Sequence, residues 1–459
     1  MFVINISRNA LVIYLVQCIF CMLSLSLMYV VGNIKLGLFF LICNYVISFL
    51  MVNIETKNLF NVSTFFLSGF GFLILGRVIS KFLLLDFSNI ELIFCTKFFF
   101  HYCMSDDQIY FLNFILNITL ISFCMGYVLK FSRISRSSKD SCCIENQKQV
   151  LLLTFLLIVG VYLIFNGWKK IYIAISEGYM ALYAGQAESY QTPVNLFLSS
   201  FFLAGLAIVA NITENQKILF VRVLIGIFLL NLAQLILTGA RGGAISSILF
   251  LMWYLTKDRR ISVHHYVFLF LGLGLLVSFL NAIASFSGAR AFAGGEMDVW
   301  KSFVNVFYEQ GGTMMLVNSS LYIQEISFWA YIKTIVPGIQ FFYSYFDIYD
   351  RYLFDWSSAL AYQENKFMYE QGFGLGWSIL SDFYLLSFKV VPIYYILFLL
   401  FGTFLKYLTT DNFSPFRKGI LFIMVSYVFS LSRSSISPVI FCIVIYSLMF
   451  FLVVRKKEF

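Results

Sequence analysis

Apolar runs long enough to cross a bilayer recur along the whole of this chain, and no soluble core of this size could hide them all. Crossing about 30 Å of hydrocarbon takes about 20 helical residues at 1.5 Å each. Runs of this kind fall near 9–31, 36–52, 60–83, 108–130, 149–166, 193–212, 218–237, 240–256, 266–284, 390–408, 418–431 and 437–454. In lipid every backbone polar group must be satisfied within the span, so each run is expected to be a helix. The chain therefore reads as an all-α polytopic membrane protein of about 12 transmembrane helices. Only 12% of its residues are charged and 60% are apolar, against about a quarter and about half in a soluble domain.

The runs divide the chain into three parts. Residues 1–284 carry nine spans joined by short loops, 285–389 form one long interruption, and 390–459 carry the last three spans. Lys and Arg crowd the short connections that hold Lys57, Lys130 to Lys148, Lys217, Lys257 to Arg260, Lys406, Arg417, Lys418 and Arg455 to Lys457. Together with Arg8 they place 17 of the 32 basic residues on one face, and the 14 on the other face are spread over longer loops. The denser face is expected to be cytoplasmic. Both termini then lie inside, and 285–389 is a large outer loop containing short helices. Its wealth of Tyr, Phe and Trp argues against a floppy linker. Those rings suit an interfacial belt and suit stacking on sugars equally well. Cys95 and Cys103 share an outer loop and can pair in an oxidising compartment.

Two runs are too short to span. Ala244 to Thr256 is 13 residues, about 20 Å of helix against the ~30 Å required. Extending it draws Arg241 below the membrane surface. Gly419 to Leu431 is also short and is followed by Arg433. Charge at that depth is costly unless it faces a partner or a wet cavity. A single such arginine would merely snorkel to the headgroups. Two of them, each beside an outward helix N-terminus, suggest a diphosphate site. Ser437-Pro438 supplies the cap and first turn expected for the second of these helices.

In the long loop Arg290 and Arg351 are further cations whose forked guanidinium groups match phosphate oxygens. Arg351 has Asp347, Asp350 and Asp355 nearby in sequence, so it also suits a surface ion pair. Glu309 and Asp382 are the candidate bases. Glu309 precedes Gln310-Gly311-Gly312, where a turn can bring backbone close to a ligand. Asp382 sits on an expected helix with Ser378 on the same face. No Walker, H-E-x-x-H, Cys-x-x-Cys or Gly-x-Ser-x-Gly motif is present, so neither metal nor cofactor is expected. Nothing points to nucleic acid.

Three stretches carry a family resemblance. Leu-Thr-Gly-Ala-Arg-Gly-Gly (237–243), Glu-Gln-Gly-Gly (309–312) and Gly-Leu-Gly-Trp-Ser-Ile-Leu-Ser-Asp-Phe-Tyr (374–384), within this topology, resemble Wzy-type O-antigen polymerases. Asp382 stands where that family often has Glu. The resemblance implies a GT-C-like helical architecture in the bacterial inner membrane. It also implies a glycosyltransferase acting on undecaprenyl-diphosphate-linked oligosaccharide outside that membrane, with a chain-length regulator as a possible partner. In that scheme Arg241, Arg290, Arg351 and Arg433 hold the diphosphate, and Glu309 or Asp382 activates the acceptor. An O-antigen ligase shares the plan but carries a functional His in its large loop, and 285–389 has none. A lipid-linked oligosaccharide flippase would show internal symmetry and short loops on both sides.

Overall fold

The computed structural model describes all residues except 1, 7, 57, 59, 97–101, 134–141, 178–192, 213–217, 239–240, 257–298, 325, 337, 347, 349, 410–413 and 457–459. The run at 266–284 therefore lies outside the described residues. Every other run is helical. In chain order these helices are α1 (Arg8–Tyr29), α2 (Ile34–Thr56), α3 (Val62–Gly69), α4 (Gly76–Leu84), α5 (Asp106–Val128), α6 (Asn146–Ser176), α7 (Pro193–Ile212), α8 (Ile218–Leu237) and α9 (Arg241–Thr256). Among the described residues six helices are long and apolar enough to cross a membrane, or seven if one bent pair counts as a single span. The bent pair, the shorter helices α8, α9, Pro415–Tyr427 and Ser437–Val453, and the run outside the described residues make up the difference from the twelve runs in the sequence.

Lipid offers helices no hydrophobic reason to associate, so close packing and buried polar contacts must hold them together. The packing of α1, α2 and α5 shows this. Gln17, Ser24, Asn44, Ser48 and Asn117 are fully buried on their facing sides. Asn44 Nδ2 donates to Asn117 Oδ1 at 2.7 Å, Gln17 Nε2 to Ser48 Oγ at 2.9 Å, and Asn117 Nδ2 to Ser24 Oγ at 3.2 Å.

The run at 60–83 is not one straight span. Asn61 caps α3 by accepting from the N–H groups of Ser63 and Thr64. A π-helical turn at Phe70–Ile74 follows, and α4 leaves it bent by 75°. A π turn is a recognised cause of such a kink. The bend is held by a second piece of backbone, the junction of α10 (Val299–Gln310) and α11 (Thr313–Leu321). A Cβ on Gly76 would lie 2.3 Å from the Phe307 carbonyl oxygen, and one on Gly311 would lie 2.2 Å from the Arg77 nitrogen. Only glycine lets the two backbones touch there.

The long loop continues through α12 (Phe328–Ile335), a 3-10 turn at Ile339–Phe346, α13 (Arg351–Phe354), α14 (Trp356–Glu364), α15 (Lys366–Glu370) and α16 (Ile379–Leu386). The chain then returns through α17 (Val391–Thr409), α18 (Pro415–Tyr427) and α19 (Ser437–Val453). Between α18 and α19 a 3-10 turn at Ser430–Arg433 packs against α3, α9, α16 and the π turn.

Short strands tie the loops. Phe2–Ile6 pairs antiparallel with Leu129–Arg133, and Cys142–Ile144 pairs with Val454–Lys456. Both terminal segments are thereby joined to the connection between α5 and α6. Cys95–Thr96 pairs with Tyr102–Cys103, and Cys95 and Cys103 form a disulfide.

The glycine contact gives a direct test. Gly76→Ala or Gly311→Ala should cost about 1–3 kcal/mol through overpacking, read as a lower melting temperature in detergent. Gly226 has nothing within 4 Å of its Cβ position, so Gly226→Ala should leave melting unchanged or raised. Equal behaviour of all three would mean the junction does not hold the bend.

Candidate functional site

The polar centre of the protein forms where the bent span, the α10–α11 junction and the Ser430–Arg433 turn meet. Glu309 ends α10 and is exposed, and Asn305 Nδ2, one turn earlier, donates to its Oε1 at 3.3 Å. The next residue, Gln310, is buried and accepts at Oε1 from Arg433 Nη1 at 2.9 Å. Arg77, at the start of α4, lies against the same junction from the other side. Its guanidinium stands 5.0 Å from the Tyr308 ring centroid. Its Nη1 donates to the carbonyls of Ile93 and Cys95 at 2.9 and 2.8 Å. The Glu309–Gly312 turn thus sits between two arginines.

Asp382 belongs to the other half of the centre. It is fully buried in α16. Ser378 begins that helix, its hydroxyl accepting from the Leu380 N–H at 3.2 Å. Trp377 Nε1 donates to Asp382 Oδ1 at 2.6 Å, and the Ile436 N–H donates to Oδ2 at 2.6 Å. Ile436 is the N-cap of α19 and makes no side-chain cap of its own. The expected Ser437 cap is therefore corrected: Ser437 Oγ donates instead to the Lys333 carbonyl at 3.3 Å. The acceptor at this helix N-terminus is the Asp382 carboxyl, 54 residues away in the chain, and the helix dipole favours its ionised form. That terminus is accordingly filled from within the protein. Arg433, three residues before it, turns to Gln310.

Arg351 is exposed on α13, at one edge of this half. Burial acts to raise the Asp355 carboxyl, but Lys333 and Arg351 outweigh it and hold the group below the usual carboxylate range. Lys333 and Asp355 form an ion pair, and Asp355 in turn acts electrostatically on Asp382. Arg351 is thereby brought toward the carboxylate cluster rather than the Glu309 turn. Arg241 opens α9, whose helix packs on the Ser430–Arg433 turn, but its side chain lies outside the described residues. Arg290 also lies outside them.

Sequence reasoning missed Arg77 and Lys333, and it read Trp377 within the 374–384 stretch but not as a partner of Asp382. Arg77 carried a usable signal, an arginine inside an apolar run directly after a glycine, which marks a functional candidate by default. Lys333 carried none, because only the fold sets it beside Asp355.

Fold and centre together define a polytopic helical membrane protein with a polar, arginine-flanked turn packed against a bent helix pair. The family model of the O-antigen polysaccharide polymerase Wzy matches residues 13–455, and the chain belongs to that family. No curated protein and no solved structure matches the chain.

Burial pushes the Asp382 carboxyl up to about 7, against the opposing pull of the Ile436 N–H, Trp377 and Ser435. An unfolded Asp titrates near about 3.9. Between those two values the folded state holds more protons than the unfolded one, so stability falls as pH rises through that window. Thermal melts from about pH 4 to about pH 7 should show this loss in the wild type and a shallower slope in Asp382→Asn. Identical slopes would remove Asp382 as its source.

Proposed function

We propose that this protein joins undecaprenyl-diphosphate-linked oligosaccharide repeat units into O-antigen, or a similar surface polysaccharide, at the periplasmic face of the inner membrane. Membership of the polymerase family supports the reaction class. The observation that carries the site is the Glu309–Gly312 turn, seated between Arg77 and Arg433 at the break of a span. The sidedness rests on the basic loops that share a face with both termini, and on the disulfide between Cys95 and Cys103 on the far side of α5.

The chemistry asks for two things. The bond between the donor sugar's anomeric carbon and the diphosphate oxygen breaks, and the diphosphate leaves with the electron pair. Preorganised cations stabilise that charge, and Arg433 with Arg241, Arg290 and Arg351 are the candidates for this role. A new bond then forms from the anomeric carbon to an acceptor hydroxyl, whose proton needs a base. Glu309, exposed and oriented by Asn305, is assigned that proton. Asp382 is sealed and holds the N-terminus of α19, which suits positioning the Arg433 turn rather than taking the acceptor's proton. The ligase reading lacks its loop His, and the flippase reading does not use a base.

Deleting the gene and resolving the lipopolysaccharide on a gel separates these readings. Loss of a polymerase leaves core plus one repeat, whereas loss of a ligase or flippase leaves bare core. With purified lipid-linked repeats, Glu309→Gln should slow polymerisation by about 10²–10⁴-fold. Arg241→Lys should lose most activity, because an ammonium cannot reproduce the guanidinium fork, while Arg222→Lys should remain active. Wild-type rates for both Glu309→Gln and Arg241→Lys would refute the site.

A further inference from the structure

The α10–α11 junction brings together hydrogen-bonding groups that have no partner. Arg77 uses Nη1 on two carbonyls, while its Nε is buried with no partner. Among the described residues Nη2 has no hydrogen-bond partner either. Nη2 stands 3.7 Å from the position a Cβ would take on Gly312, so the missing side chain there keeps the Nε–Nη2 edge open. The next residue, Thr313, is 2% exposed, and its Oγ1 is buried without a partner.

Gly312 is also the N-cap of α11 and has no side chain to cap it. Turn carbonyls take the N–H groups of Gly312, Met314 and Met315. Among the described residues that leaves the Thr313 N–H over. A guanidinium edge thus lies over Gly312, and the residue after it carries an unpartnered hydroxyl in the first turn of a helix. Unmet donors in a buried place cost free energy unless a ligand takes them. A ligand that satisfies all of them is an anion with several acceptor oxygens. The guanidinium fork matches two oxygens of one phosphate, and a helix N-terminus favours its charge.

We propose that Arg77 and Thr313, with the α11 N-terminus, form the seat for a phosphate of a membrane lipid, namely one phosphate of the polyprenyl diphosphate carrier. The choice of carrier rests on the polymerase reading; the seat itself rests on the donors. It replaces the α19 N-terminus, which Asp382 fills, as the helix end available to an anion.

The test uses the full-length protein in phosphatidylcholine nanodiscs, titrated separately with polyprenyl diphosphate and with phosphatidylglycerol. Thr313→Val keeps the side chain's shape and removes only the hydroxyl, and Arg77→Lys removes the fork. Each should weaken polyprenyl diphosphate binding about ten-fold, while Thr313→Ser should bind like wild type. Phosphatidylglycerol binding should be weak and the same in every variant. Wild-type affinity in Thr313→Val and Arg77→Lys would overturn the seat and leave the polymerase reading standing. Losses confined to phosphatidylglycerol would overturn the carrier in favour of an ordinary headgroup. Should the gene deletion instead leave bare core while diphosphate binding still depends on Thr313, the reaction falls and the seat survives. Arg77 also anchors the disulfide hairpin, so Thr313→Val decides the matter if Arg77→Lys fails to fold.

Discussion

A helix cannot break inside hydrocarbon unless something else takes up its exposed backbone. In this protein the break between α3 and α4 is covered by the α10–α11 junction, backbone against backbone at Gly76 and Gly311. Neither glycine can carry a side chain without moving the other segment. The rest of the polar centre depends on that contact. It puts Arg77 beside the Glu309–Gly312 turn and puts Gln310 where Arg433 can reach it.

The second half of the centre follows from a different constraint. The Ser430–Arg433 turn joins two short helices, and α19 begins with no side-chain cap from its own N-cap residue. Asp382 supplies the missing acceptor, and Trp377 fixes its other oxygen. One buried carboxylate thereby couples α16 to the turn that carries Arg433. The two halves meet at that arginine, so the long loop and the helical bundle act as one structure rather than as a cap resting on a scaffold.

Much of this was legible in the sequence, because lipid restricts the choices so strongly. The described apolar runs are helices, Glu309–Gly312 is a turn, and Ser378 and Asp382 share one short helix. What could not be read depends on contacts distant in sequence. The run at 60–83 has the composition of a plain span, and its π turn arises from packing against residues near 311. The sequence suggested Ser437 as a local cap, but an acidic side chain from another segment outcompetes a serine hydroxyl for a helix N-terminus. Arg351 looked like a phosphate ligand, yet three nearby aspartates in the chain already hinted at the ionic neighbourhood it occupies. Arg77 sits in a run long enough to cross without interruption, so nothing in the local sequence marks the break beside it.

On this reading substrate phosphate sits at the junction that holds the bent helix pair together. An electron cryomicroscopy map of the protein in nanodiscs with a non-hydrolysable polyprenyl diphosphonate would locate that phosphate directly. Phosphorus density is expected against Gly312, within hydrogen-bond reach of Arg77 and on the side of the turn that leads to Arg433. Density resting instead beside Arg351 and Lys333, with the Gly312 turn empty, would contradict it.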